Sequence, residues 1–165
     1  MSFLRRARPD DAPRLAALAQ WVWMDSYASD GVENRFLPFI AASFTPAEFE
    51  SLIAHPQQAI WLLEEGAALQ GFAQLRRSVA APVYTASSVE LERLYVAPPC
   101  TGRGLGPRLL RAARETWPAE ALWLSVWVGN SGAQRFYARE GGQDIGQTDF
   151  MLDGQPISNR VIAFS

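Results

Sequence analysis

Lysine is missing from this chain: all 15 basic residues are arginine. Its absence removes a Walker A loop, whose lysine sits on the phosphates, and Schiff-base chemistry with a carbonyl or pyridoxal phosphate. Cysteine and histidine occur once each, as Cys100 and His55, too few for a structural zinc site or an intrachain disulfide. A cytoplasmic, reducing environment fits that usage. No apolar stretch approaches the roughly 20 residues of a membrane-spanning helix, and residues 1–20 carry no continuous apolar segment behind a basic start, so a soluble, unprocessed protein without a membrane partner is expected. The formal charge is only -2. With no excess positive field, nucleic acid is not the natural partner, whereas a cationic substrate is tolerated.

What the chain does contain is apolar mass. Its 165 residues are 48% hydrophobic and 12% aromatic, enough to bury one sizeable core and too few for two ordinary domains, so a single domain over 1–165 is expected. Phe3 to Ala7 reads as a first strand, and Pro9 to Pro13 opens a helix carrying Leu15, Leu18, Ala19 and Val22 to near Met24. Phe36 to Ala42 predicts a short second helix. Thr45, Pro46 and Glu48 form a capping-box pattern for a third, stopped by Pro56, with His55 as a partner of its C-terminal dipole. Ala59 to Leu63 and Leu69 to Leu75 form a hairpin, and Val89 to Val96 a fourth strand ended by Pro98 and Pro99. Gly104 to Trp117 is helical, Leu122 to Val128 a strand buried on both faces, and Asn130 caps a helix ending at Gly141 and Gly142. Thr148 to Leu152 and Arg160 to Phe164 close the chain around Asp153 and Gly154. The class is α/β, a mostly antiparallel sheet in which a strand-helix-strand unit near residues 89–128 supplies one parallel pair.

The chemically loaded segment is Thr101-Gly102-Arg103-Gly104-Leu105-Gly106, a glycine turn between a strand and a helix. Such a turn presents unpaired backbone N–H groups at a helix N-terminus, where the dipole favours an anion such as a diphosphate. The G-x-G-x-G spacing does not match the G-x-G-x-x-G of a dinucleotide fold. It resembles instead the Q/R-x-x-G-x-G/A turn of the GCN5-related N-acetyltransferase (GNAT) superfamily, with Gly104 and Gly106 matching and Thr101 replacing the usual Gln or Arg. A second segment, Asn130 to Gly141, resembles that family's N-x-x-A-x-x-x-Y-x-x-x-G helix. Glu90 to Val96, Leu122 to Trp127 and Thr148 to Leu152 look like a bacterial subgroup related to PaiA-type polyamine acetyltransferases. Gly142 stands where a Phe is usual, which predicts looser packing below the last helix.

The resemblance implies a GNAT-like central sheet of about seven strands flanked by helices, with strands four and five parallel and splayed. It also implies acetyl-CoA as donor, no metal, and a primary amine as acceptor, a small amine or polyamine. An alkylamine with a pKa near 10.4 is neutral in roughly one molecule in a few thousand at pH 7, so a base is useful. Glu90 and Glu92 share one face of strand four and are the candidates, with a bulge able to exchange their exposure. Tyr137, seven residues after Asn130 and on the same helix face, is the candidate acid or hydrogen-bond donor to the departing thiolate. Complete proton transfer from an ordinary phenol to a thiolate is uphill by about 2 kcal/mol. A hydrogen bond that strengthens as sulfur gains charge is therefore expected.

For the cofactor, the resemblance assigns Thr101, Gly102, Arg103, Gly104, Leu105 and Gly106 to the phosphates, with Arg108 a further reach. The backbone of Leu94, Tyr95 and Val96, together with Asn130, belongs to the pantetheine arm. Trp21, Trp23, Asp25, Tyr27, Glu33 and Phe36 fall on the acceptor side, where aromatic rings beside carboxylates can hold an ammonium. Acetylation of a protein or peptide amine and noncatalytic sensing of acyl-CoA stand as alternative functions. Monomer and homodimer both remain open.

Overall fold

The computed structural model describes residues 1–165. Its elements run β1 (Phe3–Arg6), α1 (Ala12–Tyr27), α2 (Leu37–Ser43), α3 (Pro46–Ala54), β2 (Gln58–Glu65), β3 (Ala68–Arg76), β4 (Val89–Val96), α4 (Leu105–Thr116), β5 (Leu122–Trp127), α5 (Ser131–Arg139), β6 (Gln143–Leu152) and β7 (Gln155–Ala163). Helices α3 and α5 start where the chain supplies acceptors for their free N–H groups. Thr45 Oγ1 accepts from the Glu48 N–H at 3.1 Å, and Asn130 Oδ1 from the Ala133 N–H at 3.1 Å. His55 does not serve the dipole of α3: its Nδ1 accepts from the Gln57 N–H at 3.0 Å, which turns the ring forward along the chain.

The strands form one sheet ordered β1-β2-β3-β4-β5-β7-β6. Every pair is antiparallel except β4 with β5, which is parallel. Alternation along the central strands gives the sheet two apolar faces. Ala59 and Leu63 of β2 join Leu105 and Leu109 of α4 in one core, while Ile60 and Leu62 join Leu15 of α1 and Phe49 of α3 in the other. Phe72 ties the second core together, edge-on to Phe49 at 5.8 Å and to Tyr95 at 5.5 Å. Phe49 is fully buried, and truncating such a ring to Ala costs about 3–5 kcal/mol.

Three boundaries differ from the sequence expectation by three residues or more. Helix α1 runs on to Tyr27 because that ring stacks one turn back on Trp23 at 4.6 Å. Strands β6 and β7 each begin five residues early, at Gln143 and Gln155. Both early stretches are largely polar and partly exposed, so they carry no apolar alternation, yet their ladder pairs Gln143 with Ala163 and Leu152 with Gln155. Gly142 does not loosen the packing. A Cβ there would meet Ile162 Cγ2 at 2.6 Å and Tyr137 O at 2.9 Å, because β7 has closed onto the end of α5. No helix is long and apolar enough to cross a membrane.

Candidate functional site

Strands β4 and β5 pair only at Val89–Leu122 and Glu90–Trp123, and then part. On its other edge β4 stays paired to β3 through Val96, so the backbone of Leu94, Tyr95 and Val96 faces an open gap. A cavity of about 330 Å³ occupies it, within the size range of small-molecule sites.

Past the end of β4 the chain turns through Gly102 and Gly104, with φ of 77° and 75°, a left-handed conformation that suits glycine. Gly104 caps α4, and no backbone acceptor of the fold takes the N–H of Gly102, Arg103, Gly104, Leu105 or Gly106. These donors surround the positive end of a helix dipole. Thr101 turns its hydroxyl back to Pro98 O at 3.0 Å, and Arg103 stays exposed and unpaired on the turn. Arg108 points elsewhere, donating to Ser2 O at 3.1 Å.

A bulge shapes the carboxylate wall. Leu75 registers with Leu91 but Gln74 with Arg93, leaving Glu92 as the extra residue. Glu90 and Glu92 both line the cavity, their side chains 13% and 26% exposed. Arg76 Nη2 donates to Glu90 Oε2 at 2.8 Å. Glu92 accepts from Gln74 Nε2 at 2.9 Å and lies 3.4 Å from Arg76 Nε and 3.7 Å from Arg93 Nη1. The fully buried Gln74 amide also accepts from Arg93 Nη1 at 2.7 Å, so one side chain fixes both bulge residues. Burial pushes the Glu90 carboxyl above the usual glutamate range; the Arg76 hydrogen bond opposes this, and Glu92 adds a smaller upward push.

Across the gap stand Asn130 and Tyr137. The Tyr137 ring is buried, and desolvation, with Tyr95 adding to it, pushes its phenol well above the usual tyrosine range. Burial likewise raises Tyr95 and pushes Tyr27 up to about 12. The expected acceptor-side set divides. Tyr27 and Trp23 line the cavity, whereas Trp21 and Asp25 lie on the exposed face of α1, Phe36 is core, and Glu33 is exposed and paired with Arg35 at 2.7 Å. A helix of 3.6 residues per turn cannot aim 21 and 25 where it aims 23 and 27.

Sequence reading missed Gln74, Arg76, Phe39, Phe150 and Asn159. Gln74 left a trace, as a polar residue inside the apolar run Phe72–Leu75. Asn159 left none, because only the pairing of β7 with β5 brings it to the cavity.

A family model described as the Acetyltransferase (GNAT) family matches residues 15–142. An uncharacterized N-acetyltransferase of Mycobacterium bovis is 30% identical over 145 residues, covering 86% of this chain and 89% of that protein. Another, of Lactobacillus delbrueckii subsp. lactis, is 27% identical over 157 residues, covering 86% and 90%. Among solved structures, PaiA N-acetyltransferase from Thermoplasma acidophilum in complex with coenzyme A superposes with a TM-score of 0.78 at 20% identity, over 100% of this chain and 99% of that one. NAA60 of Arabidopsis thaliana in complex with acetyl-CoA gives 0.74 at 14% identity, over 99% and 98%. The superpositions carry the fold. With a family match that runs through the glycine turn and both strands of the gap, the chain belongs to the GNAT acetyltransferase family.

Proposed function

We propose that this acetyltransferase moves an acetyl group from acetyl-CoA to a primary amine, a small amine or polyamine. One observation carries the reading. The gap between β4 and β5 has carboxylates on one wall and a phenol on the other, and a row of unpartnered N–H groups follows the end of β4. The N–H groups from Gly102 to Gly106 suit a diphosphate, and Arg103 supplies a free guanidinium beside them. The open backbone edge of Leu94 to Val96 suits the amides of a pantetheine arm. Asn130, already the cap of α5, stands on the same route.

Glu90 serves as base, directly or through a water, because burial raises its pKa toward the working pH and so strengthens its basicity. Glu92, held by Gln74 and close to Arg76 and Arg93, is the second carboxylate of that wall. The amine nitrogen forms its bond to the acetyl carbon as the carbon–sulfur bond breaks. Of the two protons that an ammonium sheds, one passes through the carboxylate to solvent and the other ends on sulfur. Tyr137 is a poorer acid than a free phenol, so it donates a hydrogen bond that strengthens as charge grows on sulfur and keeps its proton.

Calorimetry with CoA and thiol release from acetyl-CoA test the reading together. Binding heat and thiol release that depends on an added amine are expected. Binding without release with any amine or peptide would make the protein a sensor, and no heat at all would remove the phosphate site.

A further inference from the structure

Five aromatic rings form a continuous belt around the acceptor side of the cavity. Trp127 of β5 meets Tyr27 at 5.1 Å, Tyr27 meets Trp23 at 4.6 Å, Trp23 meets Phe39 at 5.2 Å, and Phe39 meets Phe150 at 5.2 Å. All five line the cavity. They come from α1, α2, β5 and β6, so the belt exists only in the folded chain.

Charge in the cavity is balanced. Its only lining acids are Glu90 and Glu92, and its one lining base is Arg93. Arg76, bonded to Glu90, completes two positive against two negative groups. One ammonium entering beside Glu90 is matched by the carboxylate that takes its proton. A second ammonium along the same acceptor would lie among the rings with no carboxylate of its own, and a ring face returns less than the desolvation of an ammonium takes away.

At the far end stands Asn159, 7% exposed, whose Oδ1 has no hydrogen-bond partner. Most buried polar atoms have one. Asn159 registers with Trp127 on one side of β5 and Glu90 with Trp123 on the other, so their backbones stand four residues apart along β5, roughly 13 Å at about 3.3 Å per residue, and two strand spacings, roughly 10 Å, apart across it. A hydroxyl suits such an amide in either orientation, since it both donates and accepts.

Resting on the acetyl-transfer reading, we propose that the acceptor is a monoamine with a flat apolar body ending in a hydroxyl, which Asn159 recognises, and that polyamines are disfavoured. Asn159 is then a specificity-determining residue. Tyramine, phenethylamine and spermidine are the probes, compared by kcat/KM from thiol release with the intact protein. Tyramine is expected to exceed phenethylamine about tenfold, since a buried amide left unpaired penalises the acceptor without the hydroxyl, and both should exceed spermidine. In Asn159→Leu the advantage of tyramine disappears, while CoA binding is kept and thermal stability is kept or raised, because an unpaired polar group has left the interior.

Equal efficiency for tyramine and phenethylamine in the unaltered protein, or a preference for spermidine, overturns the inference while acetyl transfer stands. An Asn159→Leu protein that folds and retains the tyramine advantage also overturns it. CoA binding without thiol release with any of the three probes removes both this inference and the transfer to small amines. The unaltered protein decides the question even if the variant does not fold.

Discussion

Two charged clusters in this molecule are built on opposite terms. At the end of the sheet where β1 meets β2, Asp11 is 2% exposed and accepts from Nη1 and Nη2 of Arg5, both at 2.8 Å, and from Arg14 at 2.7 Å. Glu64 accepts from the same two arginines at 2.7 and 3.0 Å. All four charges are matched by hydrogen bonds, and both carboxyls are held below their ordinary range, with Arg5 the leading cause. In the cleft, by contrast, Glu90 is pushed up by burial, and Arg76 Nε and Asn159 Oδ1 are buried without hydrogen-bond partners. One cluster has its partners within the chain. The other has polar groups left over, as a site that awaits a ligand does.

The sharpest test of the contrast is neutralising each cluster. Glu90→Gln should lower kcat by about 10²–10⁴-fold, the range for a lost general base, while leaving thermal stability unchanged or higher at neutral pH. The sign follows from linkage: a carboxyl raised above its ordinary 4.5 favours folding when protonated, and that contribution is lost as pH rises. Loss of both activity and stability would erase the distinction. Asp11→Ala should do the reverse, lowering stability by about 3 kcal/mol, as breaking a buried ion pair does, with kcat little changed. Urea melts and steady-state rates on the same preparations check both.

Acid should expose the same opposition. Since Asp11 lies below its ordinary 3.8 in the fold, its contribution is complete above that pH and is lost as pH falls further. The acid limb of the unfolding curve should therefore flatten in Asp11→Ala and persist in Glu90→Gln. Tyr137→Phe should reduce kcat roughly 10- to 100-fold, the value of a hydrogen bond to a charged group, with CoA affinity nearly unchanged. An equal loss in both would make it a binding residue. Asn130→Ala gives the smallest effect, about 1 kcal/mol of stability through the lost cap. Asn130→Ser should restore stability, and any CoA affinity it fails to restore measures the amide's own contact in the cleft.

The glycine turn was legible because its signal is local. Gly102 and Gly104 can take left-handed φ without steric cost, and a helix start leaves its N–H groups free. Glu90, Glu92 and Tyr137 could be placed by counting along one strand and one helix, and the bulge that exposes Glu92 alters neither residue's side of the sheet. The acceptor side was not legible in this way. Trp21 and Asp25 have the right chemistry but the wrong helix face, and the polar stretches Gln143–Gln147 and Gln155–Asn159 carry no alternation to announce strands.

By itself the sequence determined the order of elements and the glycine turn with its free N–H groups, and it supplied the candidates for acid, base and phosphate chemistry, because each depends on backbone conformation or spacing within a few residues. Tertiary structure alone decided which carboxyl is buried, which rings meet and where Asn159 stands, because each depends on β5, β7 and α1 converging from distant parts of the chain. Desolvation and unmatched hydrogen bonds arise only when such surfaces close on one another, and in this protein they set the character of the cleft.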